Sequence, residues 1–255
     1  MTMIDDAYDV YGTLEELELF TEAVHRWDIT YAMEKLPDYM KILFLAHHNT
    51  VNELVYEALR DHGFNVMDCI KKYWGEYIES YMIEARRHYG GYTPTQEEYI
   101  ENGYISIGIP VAMLHVYFAV ANPITKEALD CFQQQCPSLI RWSATLSRYA
   151  DDLGTFSREV EIGDLSNSVH FYMREKGASE EEARKHIRFL MDGIWKKLNK
   201  NMIDCSPFCR SFMEIQLNLT RMINRMYQHG DGHSSQKGDV EELITSILAE
   251  PIPLD

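Results

Sequence analysis

The sequence predicts an all-α protein, and three observations carry that prediction. Apolar residues recur at three- and four-residue spacing along most of the chain, as one face of a helix requires. Short alternating valine- and isoleucine-rich runs bounded by turns, the mark of half-buried strands, are absent. Most of the 8 prolines fall at breaks between periodic runs, where the missing N–H removes no helical bond.

The elements run in order along the chain. Residues 1–25 read as a helix entering a loop near Gly12, then a second short helix. Residues 38–61 repeat Val51, Leu54, Val55, Ala58 and Leu59 on one face, and residues 65–89 do the same with Val66, Ile70, Tyr73, Trp74, Tyr77, Tyr81 and Ala85. Thr93-Pro94-Thr95-Gln96 reads as a helix start, with Thr93 as cap, Pro94 at the first position and Gln96 three after the cap. The long helix after it contains Gly103, Gly108 and Pro110, so a kink is expected there. Further helices are expected at 124–135, 138–160, 165–175 and 179–199, the last opened by a Ser179–Glu182 capping box. Ser206-Pro207 opens another running to about residue 228, a polar loop covers 230–235, and 238–249 forms the last helix. No repeat or linker interrupts this pattern, so residues 1–255 read as a single all-α domain.

Composition excludes several functions. Against 24 Lys and Arg stand 40 Asp and Glu, a net charge of −16. That charge argues against nucleic acid and against an anionic membrane surface as partners. It still permits a phosphorylated ligand bridged to the protein by metal ions. No run of 18 apolar residues is present, and the first residues lack a signal-peptide pattern. Five cysteines at irregular spacing suit reduced thiols better than a disulfide framework.

Two constellations carry chemistry. In Asp5-Asp6-Ala7-Tyr8-Asp9 a helix would project Asp5 and Asp9 from one face, amid apolar Met1, Met3, Ile4, Tyr8 and Val10. Like charges at that spacing repel, and a divalent cation is a compact counter-charge. An acidic helix end in water explains this motif alone equally well. The second runs from Arg148 to Glu159. Asp151, Thr155 and Glu159 are i, i+4 and i+8, an oxygen stripe suited to Mg2+, with the Arg148 donor fork one turn before it. Alone, this could be the polar face of an amphipathic helix. Facing each other across a bundle, the two could hold several Mg2+ ions around a diphosphate.

With both motifs in place, the sequence resembles the class I terpene synthases of plants. Asp5 to Asp9 matches their DDxxD motif, and Val10-Tyr11-Gly12-Thr13 with Glu15-Glu16-Leu17 matches the residues that usually come next in that family. Asp151 to Glu159 matches their second motif, (N/D)Dxx(S/T)xxxE. The resemblance spans the whole chain, including the stretch around Ser106, Tyr172-Met173-Arg174-Glu175-Lys176-Gly177-Ala178-Ser179 and the loop at Asp231.

The resemblance implies a class I terpenoid synthase helical bundle, here incomplete at its N-terminus. It implies a lyase that ionises a prenyl diphosphate with Mg2+, or Mn2+ in its place, and steers the allylic cation in an aromatic pocket. Asp5 and Asp9 resemble metal ligands of one wall, and Asp151, Thr155 and Glu159 those of the other. Arg148 resembles the diphosphate-binding arginine, and Asp6 is expected to support the site through hydrogen bonds. Tyr8 and Tyr227 match aromatic positions of the pocket, although helical aromatics are more often core. Backbone carbonyls near Ser106, Ile107 and Gly108 are expected to face the cation, and Asp231 to belong to a lid, although Gly-Asp-Gly is commonly just a turn. Asp151-Asp152-Leu153-Gly154-Thr155 is most similar to monoterpene synthases, which use geranyl diphosphate; farnesyl diphosphate is the alternative substrate. The expected state is a monomer.

Two departures from the family stand out. The chain begins almost at the aspartate motif, so Met1 reads as an internal methionine of a longer, plastidial protein. Upstream helices with an RxR segment and an N-terminal helical domain would precede it. Lost core helices make an inactive fragment the non-enzyme alternative. Many relatives also have Lys where Asn167 stands, which would weaken or replace one diphosphate contact.

Other readings are weaker. A chain-elongating prenyl diphosphate synthase would carry a second DDxxD-type motif. A zinc site from Cys205, Cys209, His229 and His233 has too long a gap for a common finger. His47-His48 reads as core or surface histidines.

Overall fold

Helices appear where apolar spacing demands them. The computed structural model describes residues 1–201, 206–228, 230–231, 245–246 and 249. Helix α1 (Thr2–Asp6) runs into a π-helical turn (Ala7–Tyr11), closed by Gly12 N–H donating to Ala7 O at 2.8 Å. Then come α2 (Leu14–Arg26), α3 (Ile29–Lys35), α4 (Asp38–His62), α5 (Met67–Gly90), α6 (Gln96–Ser106), α7 (Ile109–Val120) and α8 (Lys126–Gln134). Helices α9 (Ser138–Ile162), α10 (Ser168–Lys176), α11 (Glu180–Asn201) and α12 (Arg210–Met226) complete the described elements, among which there is no strand. The fold is the all-α bundle that the spacing predicts.

Two long helices organise the packing. Helix α5 lies against α2, α6 and α7, while α9 lies against α6, α7, α11 and α12. The main core joins Phe20, Phe44, Tyr73, Ile78, Tyr117, Phe132 and Phe212, each fully buried. Burying a side chain of this size contributes about 1.5–3 kcal/mol. A second cluster sets Tyr149 and Phe156 of α9 against Val169 of α10 and Ile187 of α11; a third sets Leu139 and Leu146 of α9 against Leu198 of α11. With its apolar sides so committed, α9 is left one polar row, on which Asp151, Thr155 and Glu159 stand.

Local chemistry moves several boundaries. The cap of α6 is Thr95, not Thr93: Thr95 and Glu98 form a reciprocal capping box, and Pro94 O accepts instead from Arg174 at 2.6 Å. The expected kink is a full break. Gly108 adopts φ +78°, open to glycine at little cost, and Pro110 has no N–H to continue the helix. Helix α3 has no counterpart among the helices expected from spacing, although Asp28 caps it by accepting from Thr30 N at 2.9 Å and Tyr31 N at 3.2 Å. Helix α10 begins at Ser168 because Asn167 caps it, and α12 begins at Arg210, later than Ser206-Pro207 suggests. The expected helix 238–249 and most of the 230–235 loop lie outside the described residues.

The α6–α7 stretch, Gln96–Val120, is long and apolar enough by composition to cross a membrane, against the sequence expectation. It is broken at Gly108, and 56% of its most apolar 18-residue window is buried inside the protein, as befits core helices. Cys69, Cys131, Cys136 and Cys209 are free thiols. Of the zinc reading only Cys209 is described; Cys205, His229 and His233 lie outside. His47 is a core histidine, its ring 4.2 Å from that of Trp74 and 5.2 Å from that of Trp27.

Candidate active site

The first acidic motif straddles the junction of α1 with its π turn. Such wide turns recur at functional sites. Asp5 is half-buried and its Oδ1 accepts from the Tyr81 hydroxyl of α5 at 2.7 Å. The Tyr77 hydroxyl lies 3.0 Å from that of Tyr81. Tyr81 has one proton, committed to Asp5, so Tyr77 donates in turn. Asp9 reaches solvent, yet protein crowds it on several sides. Partial burial, then the charges of Asp5, Glu84, Asp164 and Asp6, push its pKa up to about 7. Asp6 was expected to brace the site by hydrogen bonds; instead it is exposed and makes none among the described residues, contributing only charge.

The second motif forms a tighter network. Arg148 donates through Nε to Asp152 Oδ1 at 2.9 Å and through Nη2 to Asp151 Oδ2. Asp152 is fully buried, and also accepts from the Tyr99 hydroxyl at 2.9 Å and from Ser168 N–H at 3.1 Å. Burial works against the Arg148 charge, but Tyr99, Asp152, Glu84 and Glu159 outweigh it and keep the guanidinium charged. Thr155 Oγ1 donates back to Asp151 O at 2.9 Å. Glu159 is half-buried; burial raises its pKa, while the hydrogen bond from Asn167 opposes the rise.

Glu84, which sequence reasoning missed, ties the two walls together. It accepts from Asn102 Nδ2 at 2.8 Å and is hydrogen-bonded to Ser106, while its charge is felt by both Asp9 and Arg148. A lone glutamate inside an amphipathic helix carries no spacing signal. Asp152 was legible only as a neighbour of Asp151. Asn167 caps α10 and donates to Glu159 Oε2 at 2.7 Å.

The remaining expected residues fall around these walls. Ser106 contributes its hydroxyl to Glu84. Ile107 caps α6, and Gly108 sits against the Tyr77 ring at the helix break. Tyr8 is buried, bonded to Thr21 at 2.7 Å and packed on Tyr81 with ring centroids 5.6 Å apart. Tyr227 ends α12 against Gly154, where an added Cβ would lie 2.9 Å from its ring and 3.0 Å from Gly230 O. Asp231 pairs with Arg158 at 2.9 Å, which ties Asp231 to α9 beside the acidic row.

The donor set fits a divalent cation. Hard oxygens predominate, and burial followed by the neighbouring carboxylates raises the pKa of Asp9. Among the described residues no three acidic, His or Cys side chains are already gathered as a complete metal cage. Mg2+ usually takes only one or two protein carboxylates and completes its shell with water and phosphate oxygens. A cleft of about 410 Å³ elsewhere, lined by His25, Lys72, Glu76 and Asn102, includes none of the motif carboxylates.

A helical bundle with two acidic walls and a partly buried arginine between them is suited to holding a metal-bridged anion. Residues 1–197 match the terpene synthase family, metal binding domain. The chain belongs to the terpene synthase family. It is 50% identical over 255 residues to a chloroplastic myrcene synthase of Quercus ilex, covering all of this chain and 42% of that protein. It is 51% identical over 253 residues to a (-)-alpha-terpineol synthase of Vitis vinifera, covering 99% and 42%. Isoprene synthase from grey poplar leaves (Populus x canescens), solved with three Mg2+ ions and dimethylallyl-S-thiolodiphosphate, superposes with a TM-score of 0.89 at 40% identity, over 98% of this chain and 47% of that one. The chain thus spans less than half the length of these relatives.

Proposed function

We propose that this chain is the catalytic part of a plastidial monoterpene synthase, ionising geranyl diphosphate in a Mg2+-dependent reaction and releasing a monoterpene and diphosphate. The observation that supports this most is the pairing of the two acidic walls across Glu84 with a charged, partly buried Arg148 between them. Asp5 and Asp9 would hold Mg2+ on one side, and Asp151, Thr155 and Glu159 on the other. Bound Mg2+ supplies charge that stabilises the departing diphosphate.

The chain's own residues account for the rest. Asp152 takes Nε of Arg148 and fixes the plane of the guanidinium. Diphosphate oxygens suit the remaining donors of that fork. Tyr8, Tyr77 and Tyr81 present a buried aromatic wall beside Asp5, and aromatic faces stabilise a cation by about 0.5–2 kcal/mol each. The Arg158–Asp231 pair would hold the segment after α12 over the site and help exclude water, which would otherwise quench the cation.

The test is turnover. Purified chain is incubated with Mg2+ and geranyl or farnesyl diphosphate, and the products are analysed by gas chromatography and mass spectrometry. Asp5→Ala serves as control, and circular dichroism checks folding. A monoterpene from geranyl diphosphate, absent from the control, supports the reading. A sesquiterpene as the main product moves the substrate to farnesyl diphosphate. No product from a folded chain makes it an inactive fragment.

A further inference from the structure

Carboxylates that share a metal site repel one another, so each needs a partner that holds it without cancelling its charge. Two of the motif carboxylates have such partners outside both motifs. Tyr81 is buried in α5 and donates to Asp5 Oδ1 at 2.7 Å. Its ring is held by Tyr8 and Tyr77, with centroids 5.6 Å and 4.9 Å away. Asn167 is buried, donates to Glu159 Oε2 at 2.7 Å and to Asp152 O at 2.9 Å, and accepts from Val169 N–H at 2.9 Å. Three bonds at once leave its amide no freedom. Both donors are neutral, so they restrict the rotation of Asp5 and Glu159 without bringing a counter-charge. Asp151 differs: its partner is the charged Arg148.

We propose that Tyr81 and Asn167 are positioning residues that aim Asp5 and Glu159 at a divalent cation, one on each wall. This rests on the metal reading above. Ligands prefixed in the binding geometry lose less freedom when the ion arrives, and outer partners of this kind are typically worth 10- to 100-fold in metal affinity. Asn167 also couples the start of α10 to the metal wall, because the same side chain caps that helix.

The test is a Mn2+ titration of the intact chain in the presence of inorganic pyrophosphate, with free Mn2+ read by electron paramagnetic resonance. Wild type is compared with Tyr81→Phe, which removes only the hydroxyl, and Asn167→Ser, which retains a helix-capping side chain but cannot reach Glu159 as the amide does. Asp5→Asn gives the loss of a ligand itself. The expected result is about 10- to 100-fold weaker Mn2+ binding in each variant with an unchanged thermal melting curve. Binding within about twofold of wild type overturns the positioning role while leaving the metal reading intact. Absence of Mn2+ binding in wild type overturns both. If Tyr81→Phe melts early, the double variant with Asp5→Asn decides. A tether's effect on affinity disappears once its carboxylate is gone, and an effect that persists in full overturns the role.

Discussion

At the scale of single residues, two buried histidines make the folded state sensitive to acid. His47 is buried with its Nε2 unpartnered, and His115 accepts from Trp74 Nε1 at 2.9 Å. Burial, more than any neighbour, lowers their pKa values to about 3 and about 4. Unfolded histidine titrates near 6.5. Below that pH the unfolded chain binds protons that the folded chain refuses, so stability falls as pH drops from about 6.5 toward the folded values. Asp9 acts in the opposite sense: its pKa of about 7 exceeds that of an unfolded aspartate, so its contribution weakens as pH rises from about 4 to 7. Replacing His47 removes one destabilising contribution, so between pH 6.5 and 5 the melting temperature by circular dichroism should shift toward stability in His47→Phe relative to wild type. An equal slope in both would exclude His47 as a source. Residue chemistry was legible in the sequence where spacing repeats it, as in Asp151, Thr155 and Glu159. Glu84 and Tyr81 were not legible as site residues, because each acts alone from a helix whose other polar positions look the same.

At the scale of elements, α9 carries both apolar clusters and the acidic row, and Gly154 shows what else constrains it. Glycine inside a helix costs about 1 kcal/mol relative to alanine. Alanine at 154 should thus favour the isolated helix, but its Cβ would press on Tyr227 and on Gly230 O. The segment after α12 would then have to move off the acidic row, where Asp231 fastens it to Arg158. Gly154→Ala should keep its helical signal while terpene formation falls roughly 10- to 100-fold, the scale of a displacement of about 1 Å. Unchanged turnover would mean that the contact is not needed. Helix periodicity and capping boxes made most elements legible, including an interruption near Gly108, though as a kink and not as the full break that Gly108 and Pro110 make. The π turn was not, because its extra residue reflects the tie between Gly12 and Ala7 rather than any residue pattern. The cap at Thr95 was obscured by Thr93-Pro94, a second sound start signal two residues earlier.

At the scale of the whole molecule, the net charge is −16, and at the site burial raises the pKa values of Asp9, Glu84 and Glu159. Sequence could supply the two motifs and their order. Their meeting depends on α5 and α9 both packing on α6, a contact that no local pattern encodes. A ligand that binds only the folded state stabilises it in proportion to the logarithm of its excess over Kd. Mg2+ with inorganic pyrophosphate at 100 times Kd should contribute about 2.7 kcal/mol. For a chain of this size, each kcal/mol corresponds to about 2–4 °C of melting temperature, so a rise of about 5–10 °C is expected. Sodium chloride at matched ionic strength screens charge without bridging the walls, and should give a much smaller rise. Asp5→Asn with Glu159→Gln should lose most of the magnesium effect and retain the sodium effect. Equal shifts from both salts would reduce the site to an acidic surface relieved by screening. A magnesium-specific shift that survives the double substitution would place the ion elsewhere on the molecule.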